Sequence, residues 1–288
     1  MFLTRIAKVG LAFGFTFAIA NTGSAALIAY YAMDETANPS LGTTVVDSSG
    51  ASINRNATMA TDAPGVGTGA IVGEPPANGG SGGLYSYTFN SQATNKNFFN
   101  TPSYTAANAF FTRDIPLTYA VWLKPTATQL SNATVIGITG NGYDFQLAPA
   151  GSNWALKLQG FNSPAPGLTS TIATIPSDVW SHVAITKGDT TSGSGAVNFY
   201  VNGALVESGT IGRPSGSPSS GQVRQLYFAS SGVLVDRYYQ GGMDELRIYN
   251  EALGPATVAT LAGVPEPSAI VLIGIGLIGL VGSPRKPR

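Results

Sequence analysis

Apolar and polar residues alternate with a period of two along the second half of the chain, as is typical of β-strands. Between Leu117 and Lys124 both alternating sets are partly apolar, which predicts a strand covered on each face, as in a sandwich. Turns rich in Gly, Asn and Ser separate the strand-like segments. Further strands are predicted at residues 133–138, 143–148, 153–159, 179–187, 224–230 and 240–249.

The strongest turn signal is Asn202-Gly203, within the apolar segment Asn198–Val206. Asn and Gly both accept the positive φ angles of a type I′ turn, so a tight β-hairpin is predicted here. One short helix is predicted at Pro255–Leu261, near the end of this region.

The first half of the chain is less regular. Leu27–Met33 and Leu84–Phe89 are predicted strands. Residues 34–83 are rich in Gly, Pro, Asn and Ser, which predicts long loops with a few short strands. Residues 90–112 are polar and aromatic, and their pattern favours no element.

Strands at short, regular spacing, without a βαβ rhythm or a repeat, predict an all-β fold, an antiparallel sandwich of two sheets. Composition agrees, because the chain has 36 glycines, 18 prolines and only 10% charged residues. It has no cysteine, which excludes thiol catalysis and thiolate metal sites.

The N-terminus has the three parts of a secretory signal peptide. Arg5 and Lys8 precede an apolar run at residues 9–20, and small residues follow at 22–26. We therefore expect residues 1–26 to be a signal peptide and the chain to be exported.

The C-terminus combines Pro265, Glu266 and Pro267 with an apolar run at residues 269–282 and a basic tail. Fourteen apolar residues are few for a bilayer, which takes about 20 in a helix. The segment resembles the PEP-CTERM sorting signal of Gram-negative bacteria. That resemblance implies an exosortase-type processing enzyme as partner, transient membrane anchoring by a single hydrophobic helix, and a surface or extracellular location. A plain tail anchor is the alternative.

Charge bounds the choice of partner. Five of the 15 basic residues and one of the 15 acidic residues lie in the two terminal segments, so the region between them has a net charge of about −4. Nucleic acid is therefore not an expected partner, and only the C-terminal segment is expected to meet a membrane.

Four motifs resemble LamG-like domains: LTYAVWLKP at Leu117–Pro125, WSHVAIT at Trp180–Thr186, FYVNG at Phe199–Gly203 and GMDELRIYNEAL at Gly242–Leu253. The resemblance implies a concanavalin A-like jelly roll with one convex and one concave sheet. The chain then divides into a signal peptide at 1–26, a LamG-like sandwich at 27–253, a short helix or linker at 254–263 and a PEP-CTERM segment at 264–288.

Catalytic residues are not predicted. Retaining glucanases need two carboxylates about 5 to 5.5 Å apart, and no Glu-x-Asp-x-x-Glu cluster occurs. His182 is the sole histidine, and no nucleophile motif accompanies it. It is interpreted as a packed strand residue with a hydrogen-bonded ring nitrogen rather than as a base or metal ligand.

Asp244 is the main candidate for a metal site. The alternation places it in phase with Leu246 and Ile248, at the edge of the core. A buried carboxylate must be paired or bind a metal. In similar sandwiches the matching acid helps to hold a structural Ca²⁺ with an acid near the first strand, which here is Asp34. The alternative is that Asp244 accepts backbone hydrogen bonds or pairs with an arginine.

The sequence does not identify a ligand-binding site. Aromatic residues offer candidates for a sugar platform, although most aromatics in a sandwich belong to the core; they are Phe98, Phe99, Tyr143, Trp154, Tyr238 and Tyr239. We expect an exported, non-enzymatic binding protein of the cell surface or matrix, with extracellular polysaccharide or a surface protein as partner. A purely structural matrix or envelope component and a divergent glycan-active enzyme are the alternatives.

Overall fold

The computed structural model describes residues 26–34, 42–51, 55–61, 71–73, 86–89, 97–104, 113–140, 142–160, 166–215, 224–232 and 237–263. The predicted signal peptide, apart from Ala26, lies outside these residues. So do the sorting residues Pro265, Glu266 and Pro267 and the predicted C-terminal hydrophobic helix. Within the described ranges no helix is long and apolar enough to cross a membrane.

The described residues form sixteen strands and one helix. The first six strands are β1 (Leu27–Tyr31), β2 (Thr44–Val45), β3 (Ala57–Thr61), β4 (Ile71–Gly73), β5 (Ser86–Phe89) and β6 (Asn97–Asn100). The next five are β7 (Leu117–Pro125), β8 (Ala133–Ile138), β9 (Tyr143–Ala150), β10 (Asn153–Gly160) and β11 (Gly167–Pro176). The remaining elements are β12 (Ser181–Lys187), β13 (Ser194–Val201), β14 (Ala204–Gly212), β15 (Leu226–Phe228), β16 (Gly241–Tyr249) and α1 (Pro255–Leu261).

The strands pair into two antiparallel sheets of eight strands each. Sheet A has the order β14-β13-β12-β7-β16-β5-β4, with β1 also paired to β16. Sheet B has the order β11-β10-β9-β8-β15-β6-β3-β2. The predicted all-β, antiparallel two-sheet jelly-roll sandwich is confirmed.

The core lies between the two sheets and is built from alternate residues of their strands. On β7 the inward set includes Tyr119 and Val121, and on β9 it includes Phe145 and Leu147. Of the nine residues of β7 only Lys124 is exposed, so the prediction of a strand covered on both faces is confirmed. The predicted turn is also found, since Asn202 and Gly203 have φ angles of 49° and 79° between β13 and β14.

A β-bulge interrupts β16. Glu245 has a φ of 54°, and the register with β7 shifts between Asp244 and Arg247. The extra residue reverses the alternation, so that Met243 faces the core together with Leu246. The prediction that Asp244 shares the core-facing phase of Leu246 is therefore wrong: Asp244 lies beside Trp122 on the outer face of sheet A.

Helix α1 packs on that same outer face. Val258 of α1 is buried in a small apolar cluster with Ala120, Ala184, Tyr200, Tyr249 and Leu253, and Leu27 and Leu261 pack against it. The Thr118 hydroxyl fixes the turn before the helix: it donates to the Glu251 carbonyl (2.5 Å) and accepts from the Leu253 N–H (3.0 Å). The helix thus covers part of sheet A without any charged residue of its own.

The edge strands β11 and β14 of the two sheets meet through Glu207. Its carboxylate accepts hydrogen bonds from the backbone N–H groups of Thr171 and Ile172, both at 2.9 Å, and from the Ser170 hydroxyl. These bonds lower the pKa of Glu207 to about 2, with the Ser170 hydroxyl as the largest cause. The sandwich is therefore tied together along this side.

Candidate functional site

Three polar side chains form a row across the outer face of sheet A. His182 of β12 lies opposite Trp122 of β7, and Trp122 lies opposite Asp244 of β16. The ring centroids of His182 and Trp122 are 5.5 Å apart. All three side chains are buried, because only 1% of His182, 5% of Trp122 and 1% of Asp244 is exposed.

Four atoms of this row have unused hydrogen-bonding capacity: Nδ1 and Nε2 of His182, Nε1 of Trp122 and Oδ2 of Asp244. Burial, with the nearby Arg247 as a second cause, lowers the pKa of His182 to about 3, so the ring is neutral. The predicted packing of His182 is found, but the predicted hydrogen bond at its ring is not. A pKa of about 3 makes this imidazole a weak base, and no described carboxylate accepts a hydrogen bond from its ring.

Asp34, Asp244 and Glu245 lie near one another where β1 ends and β5 begins along the same side of β16. Asp244 Oδ1 accepts the Glu245 N–H at 2.9 Å. The Glu245 carboxylate is held by the Tyr30 hydroxyl at 3.0 Å and pairs with Arg247. One oxygen of Asp244 thus accepts a backbone hydrogen bond, whereas the arginine pairs with Glu245.

The carboxyl of Asp244 has a raised pKa. Its pKa is raised to about 8, chiefly by burial and then by the charges of Glu245 and the exposed Asp34, against the lowering effects of the Glu245 N–H and Arg247. No group of three or more His, Cys, Asp or Glu side chains with metal-binding spacing occurs in the described ranges. The side chains fit an oxygen-binding ion such as Ca²⁺ only if backbone carbonyls and water supply most of its ligands.

A second polar cluster lies on the outer face of sheet B. Thr134, Gln146 and Lys157 form a row across β8, β9 and β10. The Lys157 ammonium donates to Asn132 Oδ1 at 2.8 Å, and both amide atoms of the buried Gln146 lack a partner in hydrogen-bonding geometry. The row thus combines a cation, an amide and a hydroxyl, the groups that bind neutral polar ligands.

Asp144 extends this cluster, two positions before Gln146 on the same face of β9. Burial raises its pKa to about 7, against the lowering effect of the Ile138 N–H, which donates to Oδ1 at 2.9 Å. Arg237 and the neighbouring Gln146 also lower it. Arg237 is placed beside the row by its backbone carbonyl, which accepts the Thr134 N–H at 2.8 Å.

The aromatic candidates divide between the core and this face. Phe98 is next to Phe99 in the sequence, and Tyr238 is next to Tyr239. Phe99 and Tyr239 belong to the core, whereas Phe98 and Tyr238 do not. Phe98, Tyr227 and Tyr238 instead form an aromatic group, with Phe98 centred 5.7 Å from Tyr227 and 6.3 Å from Tyr238. Tyr238 pairs with Thr134, so the aromatic group adjoins the polar cluster.

The other two aromatic candidates are structural. Tyr143 and Trp154 are core residues. The Tyr143 hydroxyl donates to the Gly212 carbonyl at 2.9 Å, and the Trp154 indole N–H donates to the Thr126 carbonyl at 3.1 Å. Sequence reasoning did not single out Asp144, Gln146, Lys157, Arg237 and Tyr227. The available signal was the polar pair at 144 and 146 inside an otherwise apolar strand.

The described strands of sheet B carry no pair of carboxylates on their outer face. Asp144 is the only acidic residue on the described strands of that sheet. A glycosidase needs two, about 5 to 9.5 Å apart, on either side of the scissile bond. The described strands of sheet B therefore contribute one carboxylate to this face, beside its amide, hydroxyl and cation.

Two family models match the chain. The one for the concanavalin A-like lectin/glucanases superfamily matches residues 99–259, more than half of the chain. The one for the PEP-CTERM protein-sorting motif matches residues 263–286. Both resemblances seen in the sequence are thereby confirmed, and the sorting motif indicates export. A search of curated proteins gave no significant match.

Solved structures share the fold. Domain 4 of AbnA, a GH43 extracellular arabinanase from Geobacillus stearothermophilus solved with arabinotriose, aligns at TM-score 0.56 and 23% identity over 83% of this chain and 98% of that one. The binding domain of botulinum neurotoxin serotype G aligns at 0.51 and 16% identity, over 82% and 50%. That of Paraclostridial Mosquitocidal Protein 1 aligns at 0.51 and 16%, over 78% and 51%. The chain spans about half the length of the two toxin domains.

Proposed function

Because this chain belongs to the concanavalin A-like lectin/glucanases superfamily, we propose that it is an exported, non-enzymatic binding protein that recognises polysaccharide through the outer face of sheet B. The observation that carries the proposal is the juxtaposition of an aromatic group with a polar row in which both amide atoms of Gln146 lack a hydrogen-bond partner. Phe98, Tyr227 and Tyr238 adjoin the row that includes Gln146 and Lys157. Glycan sites combine apolar ring contacts with a few placed polar groups.

The neighbouring structures support this assignment. Domain 4 of AbnA was solved with a bound arabinotriose, so the same fold accommodates an oligosaccharide in that protein. The sorting motif would deliver the domain to the cell surface, with an exosortase-type enzyme as processing partner. After processing the protein would remain at the surface or join the extracellular matrix.

Polysaccharide pull-down and a glycan array with residues 27–264 test the proposal. Lys157→Ala removes a half-buried cation from the proposed face and is expected to weaken binding about tenfold, as loss of one hydrogen bond to a charged group does. Lys124→Ala, an exposed lysine on sheet A, is the matched control and should bind like the unaltered protein. Equal losses in the two variants would contradict the assignment to sheet B.

The outcome also separates the alternatives. Binding to a surface protein without any glycan, or no ligand at all, would favour a protein-recognising or purely structural role. Release of reducing sugar from a panel of glucans would favour a divergent glycan-active enzyme. The proposal requires glycan retention without release of sugar.

A structural Ca²⁺ at Asp34 and Asp244 is a further part of the proposal. It is supported by the buried Asp244 Oδ2, which has no hydrogen-bond partner, and by Asp34, whose charge acts on the same carboxyl. Oxygen ligands suit Ca²⁺, and a bound ion would stabilise the fold in proportion to its affinity.

Melting in calcium and in chelator tests the ion site. Calcium at 100 times its dissociation constant adds about 2.7 kcal/mol, which raises the melting temperature by roughly 5 to 10 °C in a domain of this size. Asp244→Ala should abolish this rise, whereas Asp178→Ala, in an exposed turn, should keep it. An unaltered protein that melts at the same temperature in both conditions has no such ion.

A further inference from the structure

Both ends of the described domain leave from the same side of the sandwich. At the N-terminal end, the Ala26 carbonyl accepts the Asn250 N–H at 3.3 Å, and Leu27 packs against the apolar cluster under α1. At the C-terminal end, α1 lies on the outer face of sheet A and is followed by Ala262 and Gly263. The two predicted targeting segments therefore join the domain beside the same cluster.

The sorting segment leaves little chain between the domain and a membrane. The motif match begins at residue 263, and the apolar run begins at Ala269. Six residues span at most about 20 Å when fully extended. The headgroup layer takes about 5 to 7 Å of this length, since it accounts for half of the difference between the 40–45 Å bilayer and its 30 Å hydrocarbon core.

We propose that, while the sorting segment is in the membrane, the domain turns α1 and the outer face of sheet A towards the lipid surface and sheet B away from it. The remaining tether, about 15 Å, is too short to pass around a sandwich whose sheets alone are about 10 Å apart and which carries a helix on one side. Only the side from which Gly263 emerges can therefore face the bilayer.

The chemistry of this side agrees with a lipid partner. Helix α1 (PATVATL) has no charged residue, and its exposed positions are Pro255, Ala256, Thr257 and Thr260. The helix itself therefore meets no repulsion from anionic headgroups and needs no desolvation of charge on approach. The inference rests on the sorting motif and not on the proposed polysaccharide, so either can fail without the other.

Because the chain has no cysteine, single cysteines can report the orientation. Thr257→Cys lies on the exposed side of α1, and Thr169→Cys is an exposed position on the outer face of sheet B, opposite Lys157. The full chain is reconstituted in phosphatidylethanolamine/phosphatidylglycerol vesicles that contain nitroxide-headgroup lipid, and each cysteine carries a fluorophore. We expect quenching at position 257 to be several-fold stronger than at 169.

A longer tether provides the control. A Gly/Ser linker of about 20 residues after Gly263 adds roughly 25 Å of mean reach and should reduce quenching at position 257 towards that at 169. Ala256→Cys and Ser152→Cys, both exposed, repeat the comparison in case either first variant folds poorly. Equal quenching at the two faces of the unextended chain, stronger quenching on sheet B, or failure of the chain to float with the vesicles would each overturn the inference.

Discussion

Asp144 shows how one residue can couple a candidate binding face to pH. It occupies an outward position of β9, yet only 1% of it is exposed, and one backbone N–H reaches its carboxylate. Burial favours the protonated form and raises the pKa to about 7, well above that of a solvated aspartate. The face therefore loses a proton close to neutral pH.

The sign of the effect on stability follows from this shift. The folded state holds the Asp144 proton up to about pH 7, whereas the unfolded chain releases it near pH 4. Asp144 therefore contributes most to stability below about pH 4, and this contribution is lost as pH rises to about 7.

Asp144→Asn should flatten the pH dependence of unfolding between pH 4 and pH 7. Asparagine keeps an oxygen that can accept the Ile138 N–H but cannot ionise. Urea denaturation of both proteins across this range measures the difference, which is expected to be on the order of a few kcal/mol at pH 7 in favour of the variant. Curves that run parallel at every pH would contradict the assignment.

At the scale of elements, the sequence predicted the features that depend on local interactions. The bounds of β8 and α1 agree with the sequence prediction, and the Asn202-Gly203 turn was recognised because its φ angles limit the choice of residues. β6 and β11 were not predicted. β11 is an edge strand rich in Thr and Ser with few inward residues, so its alternation is weak, and it depends on β10 and Glu207 for its place.

The candidate sites were harder to predict, because they depend on register. The bulge at Glu245 moved Asp244 to the outer face, and no residue type at positions 243–247 announces an extra residue. Similarly, Gln146 and Lys157 meet only because β9 and β10 pair in one particular register. Pairing between strands is a long-range property, which a single sequence encodes only indirectly.

Helix α1 should depend on a single side chain. It has seven residues and no side-chain cap, so its stability comes from packing rather than propensity. Val258→Ala is expected to destabilise the domain by about 1 to 3 kcal/mol through the cavity it leaves. Thr257→Ala, on the exposed side, should change little. Chemical denaturation measures both, and similar values for the two variants would show that α1 does not pack as described.

At the scale of the molecule, the sandwich is held by the packing of its core and by hydrogen bonds such as those to Glu207. The chain has no cysteine, so no disulfide supports it after export. Two sheets of eight strands enclose one continuous core, which a domain of more than 200 residues has enough buried surface to sustain. The two ends of the described domain lie close together because β1, its first strand, pairs with β16, its last strand.

A circular permutant tests the closeness of the two ends. Joining Gly263 to Leu27 through a short Gly/Ser linker and opening the exposed Gly151-Ser152 turn should give a protein that unfolds cooperatively and loses no more than about 2 kcal/mol of stability. Opening the chain inside β7, between Ala120 and Val121, should prevent folding because that strand is buried on both faces. Circular dichroism and urea denaturation distinguish the outcomes, and failure of the first permutant would show that the ends are too far apart.

The carboxylate of Glu207 has a consequence for proteins displayed at high density. An uncovered edge strand can recruit the edge of a neighbouring molecule, and chains crowded on a surface would polymerise in this way. By accepting the N–H groups of Thr171 and Ile172, Glu207 removes two donors that such a neighbour would need. The same contact that joins the sheets therefore also leaves this edge with two fewer donors for pairing with an adjacent copy.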